Sequence, residues 1–222
     1  MTTLYQFRQH TPEARELPCF ILDNVLEPQN CDDTVEELKD KVIAAQYQHE
    51  NKVDVDQDPD IRSSGVFWFN NPNLSGVLKG CVDIVNHESG WKYDIVDHET
   101  FQFTKYKKGQ HYQWHTDGHG CHQSARKSAV LHKQDTLQFT RQTNLLGTVR
   151  KISVSAILND DYEGGELEFK MLTPMGTEQI STVKGKKGDI IVFPSYLLHR
   201  VKPVTKGTRY SVVAWFGGPP FK

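Results

Sequence analysis

A histidine and an aspartate stand two positions apart in the segment 112–117, which reads Tyr-Gln-Trp-His-Thr-Asp. In an extended strand, residues i and i+2 project to the same face, so His115 and Asp117 are predicted to contact one ion from one side. An imidazole together with a carboxylate suits a divalent metal such as Fe(II) better than a sulfur-rich zinc site would. The triplet alone is a weak signal, because two polar residues on a solvated strand have the same pattern.

A third ligand is available at His199, which follows an apolar strand. In the next predicted strand Arg209, Ser211, Val213 and Trp215 fall on one face by alternation, which places a guanidinium inside an apolar β-core. A buried arginine requires an anionic partner, and a planar carboxylate matches its fork of donors. Two histidines and one carboxylate that leave metal positions open are diagnostic of non-haem Fe(II) oxygenases.

The elements that must position these residues change character along the chain. Pro28 is predicted to open one helix, whose apolar stripe extends to Ala45, and Asn71 with Pro72 to open a second that stops at Gly90. A period of two then predicts strands at 101–106, 151–158, 166–171, 189–193 and 209–216. Many short strands without interleaved helices favour a barrel or a double-sheet jelly roll. We therefore expect a mainly β fold with flanking helices, as one domain over 1–222 with helical support about 1–100 and a β-core about 101–217.

Composition excludes several other classes of protein. The chain has 222 residues, 24% of them charged, with a net charge of −2, which argues against bulk disorder and against a surface built for nucleic acid. No apolar run approaches the roughly 18 residues of a membrane span. No signal peptide is visible in residues 1–10, and four scattered cysteines indicate reduced thiols in a cytoplasmic or cytosol-like compartment.

The small net charge conceals two oppositely charged regions. Residues 27–60 contain eleven acids and three lysines, whereas the segment 118–150, with the adjoining Lys151, contains six lysines and arginines and one acid. Neither 48–64 nor 118–150 has an evident structural role. We expect both to be recognition loops that are mobile in the free protein and close over a substrate. The nearby His111, His119 and His122 are interpreted as polar loop residues.

Five blocks of sequence, in order, carry a resemblance to a known family. They are Tyr106 with Gly109; the segment 112–117; Asp-Tyr-Glu-Gly-Gly-Glu-Leu at 161–167; Gly188-Asp189 before a strand; and His199 with Arg209 ten residues later. The pattern resembles the Fe(II)/2-oxoglutarate dioxygenases, and within them the prolyl 4-hydroxylase-like group. The run 198–209 is especially similar to the bacterial PKHD-type members.

This resemblance implies a double-stranded β-helix (jelly-roll) core in which His115, Asp117 and His199 bind iron. It also implies that Arg209 pairs with the distal carboxylate of 2-oxoglutarate, near Tyr106 and Ser211. The resemblance further implies hydroxylation of a prolyl residue in a protein or peptide, with consumption of O2, release of succinate and CO2, and ascorbate as a further candidate cofactor. The substrate-facing residues that it implies are Arg62, Tyr112 and Trp215.

The sequence departs from the family pattern in three places. Collagen-type enzymes have lysine where this chain has Arg209, a second tyrosine used by some animal members is replaced near Ile157, and the insertion 118–150 is longer than in many relatives. Two alternatives stay open: a same-core oxygenase acting on a nucleic-acid base or small molecule, which the basic segment supports, and a non-catalytic β-sandwich binding module. The second would need a damaged site, whereas all the expected positions are filled.

Overall fold

The computed structural model describes residues 19–45, 47–48, 55–56, 58–117, 145–172 and 175–220. These residues form the helices α1 (Pro28–Leu38) and α2 (Pro72–Glu88) and a series of antiparallel strands. The strands are β1 (Phe20–Leu22), β2 (Ile43–Ala44), β3 (Tyr47–Gln48), β4 (Val55–Asp56), β5 (Gly65–Phe69), β6 (Asp97–His98), β7 (Phe101–Lys107), β8 (Tyr112–His115), β9 (Val149–Ile157), β10 (Glu163–Gly164), β11 (Leu167–Leu172), β12 (Glu178–Val183), β13 (Ile190–Pro194), β14 (Leu198–Val201), β15 (Val204–Lys206) and β16 (Thr208–Gly218).

The strands form two sheets that face each other. The major sheet has the order β1-β13-β9-β16-β7-β5-β2, with β6 paired to β16, and the minor sheet has the order β12-β11-β14-β8. Two short pairs, β10 with β15 and β3 with β4, lie outside them. Neighbours in these sheets are mostly distant in sequence, which is the arrangement of a jelly roll. The predicted β-core with flanking helices is confirmed.

Two hydrophobic clusters lie on opposite sides of the major sheet. One joins the helices to the sheet through residues such as Leu38, Leu78, Phe103 and Val212. The other lies between the two sheets and contains Phe169 of β11 with Phe193 of β13, together with neighbours from β7 and β9. Because side chains alternate along β7, β9 and β16, each strand contributes apolar residues to the helix side. Its buried polar residues, such as Thr104, Ser153 and Arg209, face the space between the sheets.

The helix ends differ in how well the sequence predicted them. Asn71 caps α2 by accepting a hydrogen bond from the Leu74 N–H at 3.0 Å, and Gly90 beyond the helix has φ of 75°, as the sequence indicated. The first helix was predicted to continue its apolar stripe to Ala45, which is wrong. It ends at Leu38, because Ile43 and Ala44 pair instead with Val66 and Gly65 of β5.

No helix in the described ranges combines the length and the apolar character that crossing a membrane would require. The described helices are 11 and 17 residues long, and both pack one face against the major sheet.

Candidate metal centre

Three ligand side chains converge between the sheets at one end of the minor sheet. His115 is the last residue of β8, and His199 lies in β14, its direct cross-strand partner. Their Nε2 atoms lie 3.7 and 3.5 Å from the carboxylate oxygens Oδ1 and Oδ2 of Asp117. These separations are too long for hydrogen bonds, yet all three ligand atoms lie within 4.8 Å of one another. One ion could therefore contact all three.

Asp117 reaches this position by a different route from the one predicted. Strand β8 ends at His115, and Asp117 lies in the bend that follows, so simple alternation along one strand does not place it. Its backbone N–H donates to the Ser195 carbonyl at 3.0 Å, and its own carbonyl accepts from Nη1 of Arg150 at 2.9 Å. The predicted convergence of His115 with Asp117 is present, but contacts from other strands create it.

Both histidines present the same nitrogen to the centre. Nδ1 of His115 lies 2.7 Å from the Gln113 carbonyl, and Nδ1 of His199 lies 2.8 Å from the Leu197 carbonyl. A carbonyl oxygen can only accept, so Nδ1 carries the proton in each ring. The other ring nitrogen, Nε2, faces Asp117 and is the atom that can contact a metal ion. Carbonyl-anchored histidines of this kind are typical of metal ligands.

The protonation states also suit a cation. Burial, followed by the neighbouring His199, lowers the pKa of His115 to about 3, so this ring is neutral at neutral pH. Burial alone would raise the pKa of Asp117. The two histidines, Arg150 and a hydrogen bond from Ser153 outweigh it, and the pKa lies below its ordinary value. The site therefore offers an ionised carboxylate beside the neutral imidazole of His115, donor types that suit a divalent metal.

One oxygen of this carboxylate is unsatisfied. Oδ2 of Asp117 is buried and has no hydrogen-bond partner among the described residues. A buried ionised oxygen without a partner is costly, and a bound cation would remove that cost. The residues present thus fit a divalent metal ion.

A second unsatisfied group lies deeper between the sheets, at Arg209 of β16. Its Nη1 donates to Ser211 Oγ at 2.7 Å, and that hydroxyl lies 2.6 Å from Oγ1 of Thr104. Its guanidinium carbon lies 5.6 Å from the ring centroid of Tyr106. Nε is buried without a hydrogen-bond partner, and no carboxylate pairs with Arg209 in the part of the chain that the structure describes. A buried cation of this kind calls for an anionic ligand.

Two of the three predicted substrate residues are aromatic, Tyr112 of β8 and Trp215 of β16. Tyr112 stacks on His115 with ring centroids 3.5 Å apart, and burial raises the pKa of the Tyr112 hydroxyl. Trp215 is 5% exposed, and its indole N–H is another buried donor without a hydrogen-bond partner among the described residues. Its ring lies 5.7 Å from that of Trp68 on β5. Tyr112 therefore adjoins the metal centre directly, whereas Trp215 is connected to it through Arg150, which contacts both the Trp215 ring and the Asp117 carbonyl.

Arg62 is engaged within the protein. Its Nε donates to Ser64 Oγ at 2.9 Å and its Nη2 to Gln102 Oε1 at 2.6 Å, and its guanidinium lies 4.5 Å from the Tyr112 ring. The Gln113 N–H also donates to the Ile61 carbonyl, so this segment pairs with the edge of β8. Arg62 thus ties Tyr112 in the minor sheet to Gln102 in the major sheet.

The sequence did not indicate the residues that support the ligands and Arg209, which are Glu99, Thr104, Ser153 and Ser195. Arg150 was counted only as part of a basic segment. Glu99 is fully buried and pairs with Arg150, whose guanidinium also lies 4.1 Å from the Trp215 ring. No sequence signal set Glu99 apart, because Asp94 and Asp97 precede it in the same stretch. Arg150 is therefore not a free surface cation.

The charge argument for residues 118–150 changes accordingly. Lys151 is 4% exposed and Arg150 is paired, so two of the six basic residues are not displayed for a polyanion. The other four, with His119 and His122, lie outside the described residues, as do residues 49–54 and 57 of the segment 48–64. His111 precedes β8, where its Nε2 contacts the Asp60 carbonyl at 3.0 Å. It takes no part in the metal-ligand group.

Fold and site together define a jelly-roll protein with two histidines and one carboxylate at a single centre. Residues 101–217 match the model of the 2OG-Fe(II) oxygenase superfamily, and the chain belongs to that family. The match includes His115, Asp117, His199 and Arg209.

Individual relatives agree with this assignment. A PKHD-type hydroxylase of Hyphomonas neptunium is 32% identical over 118 residues, which cover 52% of this chain and 42% of that protein. The chain thus spans less than half the length of the curated relatives it matches.

Solved structures share the fold. A prolyl-4-hydroxylase of Pseudomonas putida has a TM-score of 0.58 at 17% identity and covers 91% of this chain and 93% of its own. A prolyl hydroxylase of Trichoplax adhaerens, solved with a hypoxia inducible factor peptide fragment, has a TM-score of 0.63 at 17% identity, with coverage of 91% and 84%.

Proposed function

We propose that this protein is an Fe(II)- and 2-oxoglutarate-dependent dioxygenase that hydroxylates a prolyl residue in a protein or peptide. His115, Asp117 and His199 would hold the iron, and Arg209 would hold the distal carboxylate of 2-oxoglutarate beside Tyr106 and Ser211. The observation that carries the proposal is the pair of unsatisfied buried groups between the sheets, Oδ2 of Asp117 and Nε of Arg209. The carboxylate oxygen requires a cation, and the guanidinium requires an anion.

Bound Fe(II) and 2-oxoglutarate would supply the oxidising power, with one oxygen atom of O2 entering a substrate C–H bond, the other entering succinate, and CO2 released. The chain's own residues bind, orient and shield. The Gln113 and Leu197 carbonyls hold the Nδ1–H groups of His115 and His199, which orients both Nε2 atoms towards the proposed iron position. Phe169 and Phe193, packed beside His199, limit access of water.

For the cosubstrate, Arg209 supplies charge-assisted donors in a region shielded from solvent. Ser211 and Thr104 fix the direction of the guanidinium, since their hydroxyls form a continuous chain of hydrogen bonds with Nη1. A planar carboxylate can use two nitrogens of such a fork at once. This part of the site is therefore proposed to select a dicarboxylate.

A prolyl substrate is supported by the similarity to PKHD-type hydroxylases and by the fold shared with prolyl hydroxylases, one of them bound to a peptide. Tyr112 and Trp215 are proposed to face the substrate, and Arg62 to affect substrate binding by holding Tyr112.

Two further proposals concern the organisation of the chain and its compartment. The helices and sheets form one domain, because α1 and α2 share a core with the major sheet. The protein works in a reducing, cytosol-like compartment, because Cys19, Cys31 and Cys81 are unpaired.

The test is mass spectrometry of proline-containing peptides and host proteins incubated with enzyme, Fe(II) and 2-oxoglutarate, with and without ascorbate. We expect a gain of one oxygen atom on proline and one succinate per hydroxylation, both absent from the Asp117→Ala variant. Oxidation found on a nucleic-acid base or a small molecule, with unmodified peptides, would replace the prolyl assignment by that alternative. Substrate oxidation without succinate would overturn the dioxygenase assignment.

A further inference from the structure

The position of Asp117 depends on contacts from outside its own strand. The residue lies past the end of β8, and its backbone has hydrogen bonds in both directions: its N–H donates to Ser195, and its carbonyl accepts from Arg150. Ser195 is itself fixed, since its Oγ lies 2.8 Å from Ser153 Oγ on β9. Arg150 contributes the only side-chain donor to the Asp117 carbonyl among the described residues.

Arg150 is held in one orientation, because each of its three guanidinium nitrogens donates a hydrogen bond. Nε and Nη2 donate to Oε1 and Oε2 of Glu99 at 2.5 and 2.8 Å, and Nη1 donates to the Asp117 carbonyl at 2.9 Å. One face of the guanidinium covers the Trp215 ring. A two-point pair of this kind fixes both the direction and the plane of an arginine.

Stability alone does not require this arrangement. The Glu99 side chain is fully buried and that of Arg150 is 19% exposed, and burying two charges carries a desolvation penalty that a hydrophobic pair would avoid. A hydrophobic pair could not supply the hydrogen bond that Nη1 of Arg150 donates to the Asp117 carbonyl. The pair also joins that backbone to Trp215, an aromatic wall of the proposed substrate region.

We infer that Glu99 and Arg150 form a positioning pair that holds the Asp117 carboxylate in place for the metal and links the Trp215 wall to it. Arg150 does not contact the ion. It acts through the peptide unit of Asp117, and Glu99 acts through Arg150. The inference rests on the proposed function, since it assumes that Asp117 is a metal ligand.

The chain contains a matched control on the opposite face of the minor sheet. Arg200 donates through Nε to Glu168 Oε2 at 2.7 Å and lies 4.6 Å from the Trp114 ring. It thus repeats both the arginine–glutamate pair and the arginine–tryptophan contact, and it neighbours His199 in sequence. It makes no contact with Asp117, so its loss tests what an arginine pair contributes to the fold alone.

The experiment titrates the metal-free full chain with Co(II), followed by the visible absorption of the bound ion, and measures the melting temperature of each metal-free variant. The wild type is compared with the variants Arg150→Met, Arg150→Lys, Glu99→Gln and Arg200→Met. We expect Arg150→Met to weaken Co(II) binding by about 10- to 100-fold, the range found when partners behind metal ligands are removed. Arg150→Lys and Glu99→Gln should fall between these limits. Arg200→Met should stay within about threefold of the wild type, because the Arg200–Glu168 pair lies on the opposite face of the minor sheet and does not hold the Asp117 backbone.

The Co(II) absorption spectrum should also change in the Arg150 variants and stay unchanged in Arg200→Met. Equal Co(II) affinity and an unchanged spectrum in folded Arg150→Lys and Glu99→Gln would overturn the inference, even if their melting temperatures fall. Those two variants decide the matter if Arg150→Met does not fold. Failure of the wild type to bind Co(II) would instead overturn the proposed function itself.

Discussion

His115 and His199 are direct cross-strand partners in β8 and β14, with ring centroids 4.2 Å apart. Residues opposite each other in an antiparallel pair project to the same face, so this register alone brings two of the proposed metal ligands together. A shift of one residue would turn one of the two rings to the outer face, where Trp114 and Arg200 lie. The pairing of the minor sheet is therefore part of the site.

The first prediction concerns the carboxylate ligand. Asp117→Ala should abolish 2-oxoglutarate turnover and weaken iron retention, because it removes the only charged member of the ligand group. The fold should persist, since the backbone contacts of residue 117 do not need its side chain. Iron content, succinate release and circular dichroism measure these effects, with Asp83→Ala on the exposed face of α2 as control. Unchanged turnover in Asp117→Ala would refute the ligand assignment.

The second prediction concerns the cosubstrate anchor. Arg209→Ala should raise the apparent Michaelis constant for 2-oxoglutarate by at least about tenfold, because a charge-assisted contact is worth roughly 1.5–3 kcal/mol. Arg209→Lys should be impaired less, since an ammonium keeps the charge but not the planar fork. Steady-state titrations with 2-oxoglutarate measure both. If Arg209→Ala binds 2-oxoglutarate normally, another cation holds that carboxylate.

The third prediction uses two glycines with left-handed backbones. Gly165 has φ of 66°, and an added Cβ would lie 3.1 Å from Cδ of Arg209, whereas Gly176 has φ of 78° and open space around it. Alanine at either position should cost about 1–2 kcal/mol of stability. Only Gly165→Ala should raise the Michaelis constant for 2-oxoglutarate, by roughly three- to tenfold, because it displaces the guanidinium. Equal kinetics in the two variants would show that Arg209 tolerates the contact.

The fourth prediction separates substrate binding from the iron chemistry. Arg62→Ala removes the support of Tyr112, so peptide hydroxylation should fall by at least about tenfold while substrate-independent decarboxylation of 2-oxoglutarate persists. Arg200→Ala is the control, because Arg200 lies over Trp114 at a similar distance on the opposite face of the minor sheet. A parallel loss of both activities in Arg62→Ala would mean that Arg62 supports the fold or the iron site.

The fifth prediction concerns thiol reactivity and its dependence on pH. Burial raises the pKa of Cys19 to about 12 and the pKa values of Cys31 and Cys81 to about 11. The thiolate is the reactive form, so in a Cys121→Ser background these thiols should react with iodoacetamide at pH 8 at least about a hundredfold more slowly in the native protein than in denaturant. Alkylation increases as pH rises towards these pKa values. Rapid labelling of the folded protein at pH 8 would contradict their burial.

The sequence by itself determined the features that depend on local order. The period of two predicted the strands that became β7, β9, β11, β13 and β16, each within two residues of its observed bounds. The Asn71 cap and Gly90 marked both ends of α2. The residue types at 115, 117, 199 and 209 indicated the metal and cosubstrate chemistry. The strand period and the helix ends follow from neighbours on the chain, and the tertiary structure did not override them.

Only the tertiary structure decided which distant groups meet and which charges are buried. Strand pairing ended α1 at Leu38 by recruiting Ile43 and Ala44 to β5, although the apolar stripe continues. Asp117 is placed by Ser195 and Arg150, because its own strand has already ended. A count of basic residues treated Arg150 as a surface charge. In the structure Arg150 pairs with Glu99, which is fully buried. Charge pairing depends on contacts between residues far apart in sequence, so composition and spacing could not predict it.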